Sequence, residues 1–198
     1  MGVEKKKLSQ LLDILIEGHQ EQKRLSIGEM IHFFGVRAYG PLLFVFALPN
    51  AIPSIPGLLA ILGAPLVFLS VQMMLGRVPW VPDIVSRQSI DLRSLISVRN
   101  KVKPWLLRMD KIVHPRLLWM TSSWRERVLG GIVFLLSLSV FTPVPFTNMI
   151  PALSICFVSI GVLERDGLWL IFGFLLGILG ATITVSVLMA IFSAIFSL

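Results

Sequence analysis

The stretch Gly40–Leu75 reads GPLLFVFALPNAIPSIPGLLAILGAPLVFLSVQMML, thirty-six residues without a charged side chain. One continuous helix of this length would extend about 54 Å, well beyond a bilayer core of about 30 Å. Proline removes a backbone donor and clashes with the preceding turn, and Pro49, Pro53 and Pro56 lie within this stretch. We therefore expect the chain to fold back here as a hairpin.

A second uncharged stretch, Val128–Leu163, has the same length and the same organisation. Each stretch carries an asparagine in its proline-rich break, Asn50 in the first and Asn148 in the second. The breaking prolines of the second stretch are Pro143, Pro145 and Pro151. Matching patterns of this kind predict an internal repeat of two structural halves, as in many transporters. The sequence leaves open whether the repeat is parallel or inverted.

The last uncharged stretch, Gly167–Leu198, is long enough for one transmembrane helix. Gly173, Gly177 and Gly180 give it a surface for close helix packing. Hydrophobic residues make up 55% of the chain and charged residues 15%, against about 45–50% and about 25% in soluble domains. The sequence therefore predicts an all-α, polytopic membrane protein.

We expect one membrane domain over residues 1–198. Its predicted parts are amphipathic cytoplasmic helices at 1–39, a first broken hairpin at 40–76, a basic cytoplasmic or interfacial segment at 77–127, a second broken hairpin at 128–163 and a transmembrane helix at 168–198. Within the first part, Ser26 and Glu29 form an S-x-x-E capping box that predicts a helix start.

Positive charge is concentrated between the two hairpins. Residues 76–127 hold eleven Lys or Arg against four acidic residues, within a total net charge of +7. A basic belt flanked by apolar segments predicts a cytoplasmic position facing anionic lipid headgroups, and not a nucleic-acid partner. The first 39 residues lack the apolar core of a signal peptide, so we expect a cytoplasmic N-terminus in a multi-pass protein of a bacterial inner membrane.

Residue types that carry catalysis are scarce. His19, His32 and His114 lack metal-ligand spacing, and no nucleophile elbow, phosphate loop or dinucleotide fingerprint occurs. The uncharged stretches contain no carboxylate for a proton relay. The single cysteine, Cys156, lies in an apolar run and predicts a small buried side chain. We therefore predict no enzyme, no catalytic residue, no metal and no cofactor.

Two places remain as candidate binding sites. A chain break at membrane depth must face protein or a water-filled cavity, because lipid cannot satisfy its backbone; whether these breaks are re-entrant or lie outside the membrane stays open. The charged turn after the second hairpin is either a solvated boundary or an ion-paired cluster that grips an anionic headgroup through Arg165. The candidate residues are Arg37, Asn50, Pro53, Pro56, Pro143, Pro145, Asn148, Pro151, Glu164, Arg165 and Asp166.

The residues 148–152, NMIPA, followed by 161–167, GVLERDG, also carry a resemblance. Together with 40–43, GPLL, and 53–57, PSIPG, they resemble the ExoD family of exopolysaccharide-synthesis proteins. The resemblance covers nearly the whole chain and implies a bacterial inner-membrane protein linked to exopolysaccharide production. It does not supply a molecular mechanism.

Two functions follow from this. The first is a transporter-like protein that handles a lipid-linked intermediate such as a polyprenyl phosphate, with membrane lipids as its partners. The second is a non-transporting regulatory or scaffold partner of a polysaccharide synthase or export complex. The sequence leaves a homo-oligomer open.

Overall fold

The computed structural model describes residues 8–18, 24–52, 56–97, 99–101, 123–141 and 147–196. Its elements, in chain order, are α1 (Leu8–Gly18), β1 (Arg24–Ser26), α2 (Ile27–Phe34), a 3-10 turn (Gly35–Ala38), α3 (Tyr39–Asn50), α4 (Pro56–Met74), α5 (Asp83–Ser86), β2 (Ser89–Asp91), α6 (92–97 and 99–101), α7 (Ser123–Phe141), α8 (Met149–Glu164) and α9 (Gly167–Phe196).

The protein is mostly helical, as the composition predicts, but it is not purely so. Strands β1 and β2 pair antiparallel, with Arg24 opposite Asp91 and Ser26 opposite Ser89. The all-α prediction is wrong at this point. Strands of three residues are too short to show the alternating pattern by which a strand is recognised in a sequence.

This sheet belongs to a polar module formed by α1, β1, α2, β2 and α6. Leu15, Leu25 and Leu95 make a small core within it. The predicted capping box is confirmed, since Glu29 N donates to Ser26 Oγ at 3.1 Å and Ser26 N donates to Glu29 Oε2 at 2.8 Å. An ion pair between Arg99 and Asp13 joins the last described turn of α6 to α1.

The prolines named in the sequence lie at the ends of the helices or between them. Pro49 lies in the last turn of α3, Pro151 in the first turn of α8, and Pro56 is the first residue of α4. A first helical turn tolerates proline, because its amides have no acceptor within the helix. Each stretch is divided into two helices at its prolines, as the sequence predicts. Pro53, Pro143 and Pro145 lie outside the described residues.

Helices α4 and α7 lie antiparallel in close contact. A Cβ added to Gly63 would meet Phe141 near the end of α7, and one added to Gly130 would meet Met73 and Met74 at the end of α4. In the same way α3 runs along α8, and Gly40 at its start faces Leu163 at the end of α8. Small residues let these backbones approach closely.

Helices α8 and α9 form the third antiparallel pair. The predicted packing surface on α9 is confirmed: Gly173 faces Val158, and Gly180 faces Pro151 at the start of α8. Because these three pairs are antiparallel, α3, α7 and α9 begin at the end of the bundle where α4 and α8 finish. We name this the charged end, since residues 164–166 lie there, and its opposite the break end.

Helix α9 extends far beyond the other helices. At 1.5 Å per residue, Gly180 lies about 20 Å from the start of α9, and a further stretch of about 24 Å leads to Phe196. Of the described side chains after Gly180, only Thr184 is buried. By length and composition, two helical stretches could cross a membrane, Ile27–Asn50 and Gly167–Ala194.

Candidate functional site

The two predicted asparagines, Asn50 and Asn148, both lie at the break end. Asn50 is the last residue of α3, and Asn148 directly precedes α8. Since α3 and α8 are antiparallel, both amides lie where the two hairpins turn. Both are almost fully buried, with 1% and 2% of their surface exposed.

The amide of Asn50 is only half satisfied. Its Nδ2 donates to Phe46 O at 2.8 Å, whereas its buried Oδ1 accepts no hydrogen bond in the part of the chain that the structure describes. The amide of Asn148 accepts from Thr147 Oγ1 at 3.3 Å. A buried acceptor without a donor costs about 1–3 kcal/mol, so Asn50 is a polar group available to a donor at this level of the bundle.

The predicted charged residues, Arg37, Glu164, Arg165 and Asp166, lie at the charged end. One narrow cavity is lined by Arg37 of the 3-10 turn, by Arg165, which directly follows α8, and by Glu126 of α7. Three elements far apart in the chain thus bring two arginines and one glutamate to the wall of the same cavity. Arg37 is buried, with 7% of its surface exposed. Glu126 was not among the sequence candidates, because it looked like the ordinary charged start of an apolar helix.

Arg165 has an unusual backbone conformation. Its φ is 55° and its ψ is 39°, and it is the only residue other than glycine with a positive φ among those described. Its amide and that of Asp166 both point to Gly161 O, which closes the end of α8. Glycine normally occupies such a cap, because a side chain costs about 1–2 kcal/mol in this conformation. This backbone conformation makes Arg165 a candidate functional residue.

Asp166 faces away from this pair. Its Oδ1 accepts from Leu168 N at 2.9 Å and so caps the start of α9, while its buried Oδ2 accepts no hydrogen bond among the described residues. Among the described residues Asp166 therefore makes no ion pair with Arg165, which leaves the other two possibilities for Arg165, a neighbouring carboxylate or an anionic headgroup, as predictions. The left-handed turn at Arg165 sends the two neighbouring side chains to different sides of the bundle.

An apolar groove of about 480 Å³ lies along the outer face of α3 and α4. Its other wall is the segment 77–85, which folds back along α4 because Gln72 holds it: Trp80 N donates to Gln72 Oε1 at 2.6 Å, and Gln72 Nε2 donates to Trp80 O at 3.1 Å. The Trp80 ring packs edge-on against Phe68. Gln72 is a rare amide in an apolar stretch, but the sequence does not show which segment it binds.

No group of three or more His, Cys, Asp or Glu side chains within the described ranges is arranged to hold a metal ion. The fold and these sites define a mostly helical protein with apolar helices of membrane-spanning length, two helical hairpins and a pair of arginines at their common end. The chain belongs to the family described as exopolysaccharide synthesis, ExoD, whose sequence profile matches residues 8–186.

Two relatives are similar over most of this chain. An uncharacterized protein of Synechocystis sp. is 28% identical over 190 residues, which cover 94% of this chain and 90% of that protein. Protein ExoD of Rhizobium meliloti is 27% identical over 158 residues, which cover 76% of this chain and 65% of that protein. No solved structure matches.

Proposed function

We propose that this protein spans a bacterial inner membrane and handles an anionic, lipid-linked intermediate of exopolysaccharide synthesis, such as a polyprenyl phosphate. The observation that carries the proposal is the strained Arg165 beside Arg37 at the charged end of the hairpins. The family name supports a role in exopolysaccharide synthesis, and the geometry of the helices and cavities supports the finer description.

The proposed arrangement places the charged end at the cytoplasmic headgroups and α9 across the membrane. At 1.5 Å per residue, α3 is about 18 Å long and α8 about 24 Å, so neither crosses a core of about 30 Å. The break end, level with Gly180 of α9, then falls inside the core. This favours re-entrant hairpins, with the buried amides of Asn50 and Asn148 at membrane depth.

The charged end suits a phosphate. Two guanidinium groups and the Glu126 carboxylate leave one net positive charge in the cavity wall. Guanidinium binds phosphate oxygens through two parallel hydrogen bonds, and burial strengthens these bonds by excluding water. This narrow cavity is large enough to contact a phosphate headgroup but too small to enclose a whole sugar.

The apolar groove suits a hydrocarbon tail. It is lined by Leu42 and Phe46 of α3, Phe68 of α4 and Trp80 of the segment 77–85. Almost all of its surface is apolar. A prenyl chain buried along this face would gain about 25 cal/mol per Å² of apolar area. Helices α3 and α4 thus form the surface for the hydrocarbon tail. The 3-10 turn with Arg37 directly precedes α3, at the charged end.

A second candidate function is a scaffold for a synthase or export complex, and one observation favours it. The half of α9 beyond Gly180 exposes Met189, Phe192 and Phe196 at 69%, 62% and 74% of their surface. Such a helix face packs against lipid or against an apolar helix of a partner protein.

The test replaces Arg165 with Lys, which keeps the charge, and with Gly, which relieves the strained backbone. We expect both variants to insert at normal yield, to lose about tenfold or more in affinity for a polyprenyl phosphate, and to lower exopolysaccharide output, because neither reproduces the guanidinium fork. The matched control is Arg87→Lys, since Arg87 makes only an exposed ion pair with Asp83.

Full exopolysaccharide output and full affinity in Arg165→Lys would make this turn a simple membrane boundary and refute the lipid-linked role. Reduced output with unchanged polyprenyl phosphate affinity would instead favour the scaffold function.

A further inference from the structure

A second cavity, of about 480 Å³, lies on the other side of the charged turn and has no part in the proposed phosphate contact. Phe157 of α8 lines one wall, and Asp166, Leu168, Trp169 and Phe172 at the start of α9 line the rest. None of these residues lines the cavity that holds Arg37 and Arg165.

The aromatic rings of this cavity are held in place by one another. Phe157 stacks on Trp169 with ring centroids 5.5 Å apart, and Phe172 meets Phe157 edge-on at 4.8 Å. Both contacts join α8 to α9, and the two helices approach each other closely nearby, at Gly161 and Gly173. Ring faces carry negative partial charge, and a preformed group of them attracts organic cations.

The carboxylate of Asp166 adds a full negative charge to this wall. With 1% of its surface exposed, Asp166 is nearly buried, at the N-terminal end of α9. Oδ1 is used by the amide of Leu168, but Oδ2 accepts no hydrogen bond among the described residues. A buried, charged acceptor without a donor costs more than a neutral one, so this position favours a cationic donor.

We infer that this cavity binds an organic ammonium group, and that its source is the headgroup of an amine-bearing lipid. Aromatic faces with a carboxylate recognise ammonium ions through cation–π attraction and a charge-assisted hydrogen bond. Leu168 and Phe172, which are about half exposed, flank the cavity and offer apolar surface to acyl chains. The assignment of a lipid as source rests on the proposed membrane arrangement, whereas the ammonium site does not.

The experiment measures lipid binding to the purified full-length protein in detergent by native mass spectrometry. The probes are phosphatidylethanolamine, phosphatidylglycerol with identical acyl chains, and tetramethylammonium chloride as a competitor. We expect the wild type to prefer phosphatidylethanolamine about tenfold, as expected for cation–π contacts plus one charged hydrogen bond. Tetramethylammonium should remove that preference.

Asp166→Asn keeps the shape and the cap on Leu168 N but removes the charge, and it should abolish the preference. Trp169→Leu, at a half-buried position, should reduce it several-fold while leaving the carboxylate in place. The matched control is Asp91→Asn, because Asp91 Oδ1 accepts from Arg93 N in the same two-residue geometry on an exposed surface. That control should behave as the wild type.

An unchanged phosphatidylethanolamine preference in both Asp166→Asn and Trp169→Leu would overturn the inference. So would a wild type that neither prefers this lipid nor binds tetramethylammonium. Binding of tetramethylammonium that depends on Asp166, without a lipid preference, would support the ammonium site and assign its ligand to a soluble amine.

Discussion

Replacing Gly130 by alanine tests the contact between α4 and α7 directly. A Cβ at this position would lie 2.6 Å from the carbonyl carbon of Met73 and 2.7 Å from the Cα of Met74. The backbone nitrogen of Met74 would lie closer still, and ordinary contacts of a Cβ begin near 3.4 Å, so the two helices would have to separate by at least about 0.8 Å. Backbone atoms cannot rotate away as a side chain can, and the strain therefore falls on the packing of the whole pair.

The neighbouring Gly131 supplies the matched control. A Cβ there meets only the sulfur of Met74, at 4.0 Å. Both substitutions gain about 1 kcal/mol of helix propensity, but Gly130→Ala also carries an overpacking cost of about 1–3 kcal/mol. The difference between the two variants isolates the helix contact. For a chain of this size, about 1–3 kcal/mol corresponds to about 2–12 °C in Tm.

The assay is thermal unfolding of both variants, purified in the same detergent and followed by circular dichroism. We expect Gly130→Ala to unfold below Gly131→Ala by that margin, with Gly131→Ala at or above the wild type. Equal Tm values for the two variants would refute the close approach of α4 and α7.

Three further predictions concern topology and packing. Ser94→Cys, exposed on α6, should react with an impermeant thiol reagent only from the cytoplasmic side; reaction in intact cells would contradict the orientation. Cys156, 5% exposed in α8, should react only after denaturation, and rapid labelling of the folded protein would contradict its burial. Tyr39→Phe removes the 2.9 Å bond to Arg77 O and should cost about 1 kcal/mol; an unchanged Tm would exclude a role for this bond in stability.

The sequence predicted the two hairpins because their signals are local and strong. Long uncharged stretches and clustered prolines locate the helices and their turns within a few residues, as α3–α4 and α7–α8 show. It also singled out Asn50 and Asn148 as candidates, since a polar residue in an apolar run is conspicuous, and the structure buries both. Their positions at one end of the bundle follow once the hairpins pack antiparallel.

The charged turn could not be predicted, because its geometry depends on one backbone conformation. Glu164, Arg165 and Asp166 are adjacent in the sequence and suggest one cluster, yet the positive φ of Arg165 separates Arg165 from Asp166 into two cavities. The exact ends of α3 and α8, near Pro49 and Pro151, could not be predicted either. The cost of a proline depends on which helical turn holds it, and a sequence does not give helix ends to one residue.

The short sheet has a consequence for how the chain is assembled. Strand β1 precedes the first hairpin and β2 follows it, so Arg24 can pair with Asp91 only when both ends of that hairpin emerge on the same face of the proposed membrane. If this segment crossed the membrane only once, β1 and β2 would lie on opposite faces and could not pair. The small core around Leu25 could then not form. In the proposed membrane arrangement, the polar module can therefore fold only after the first hairpin has inserted with both of its ends on one face.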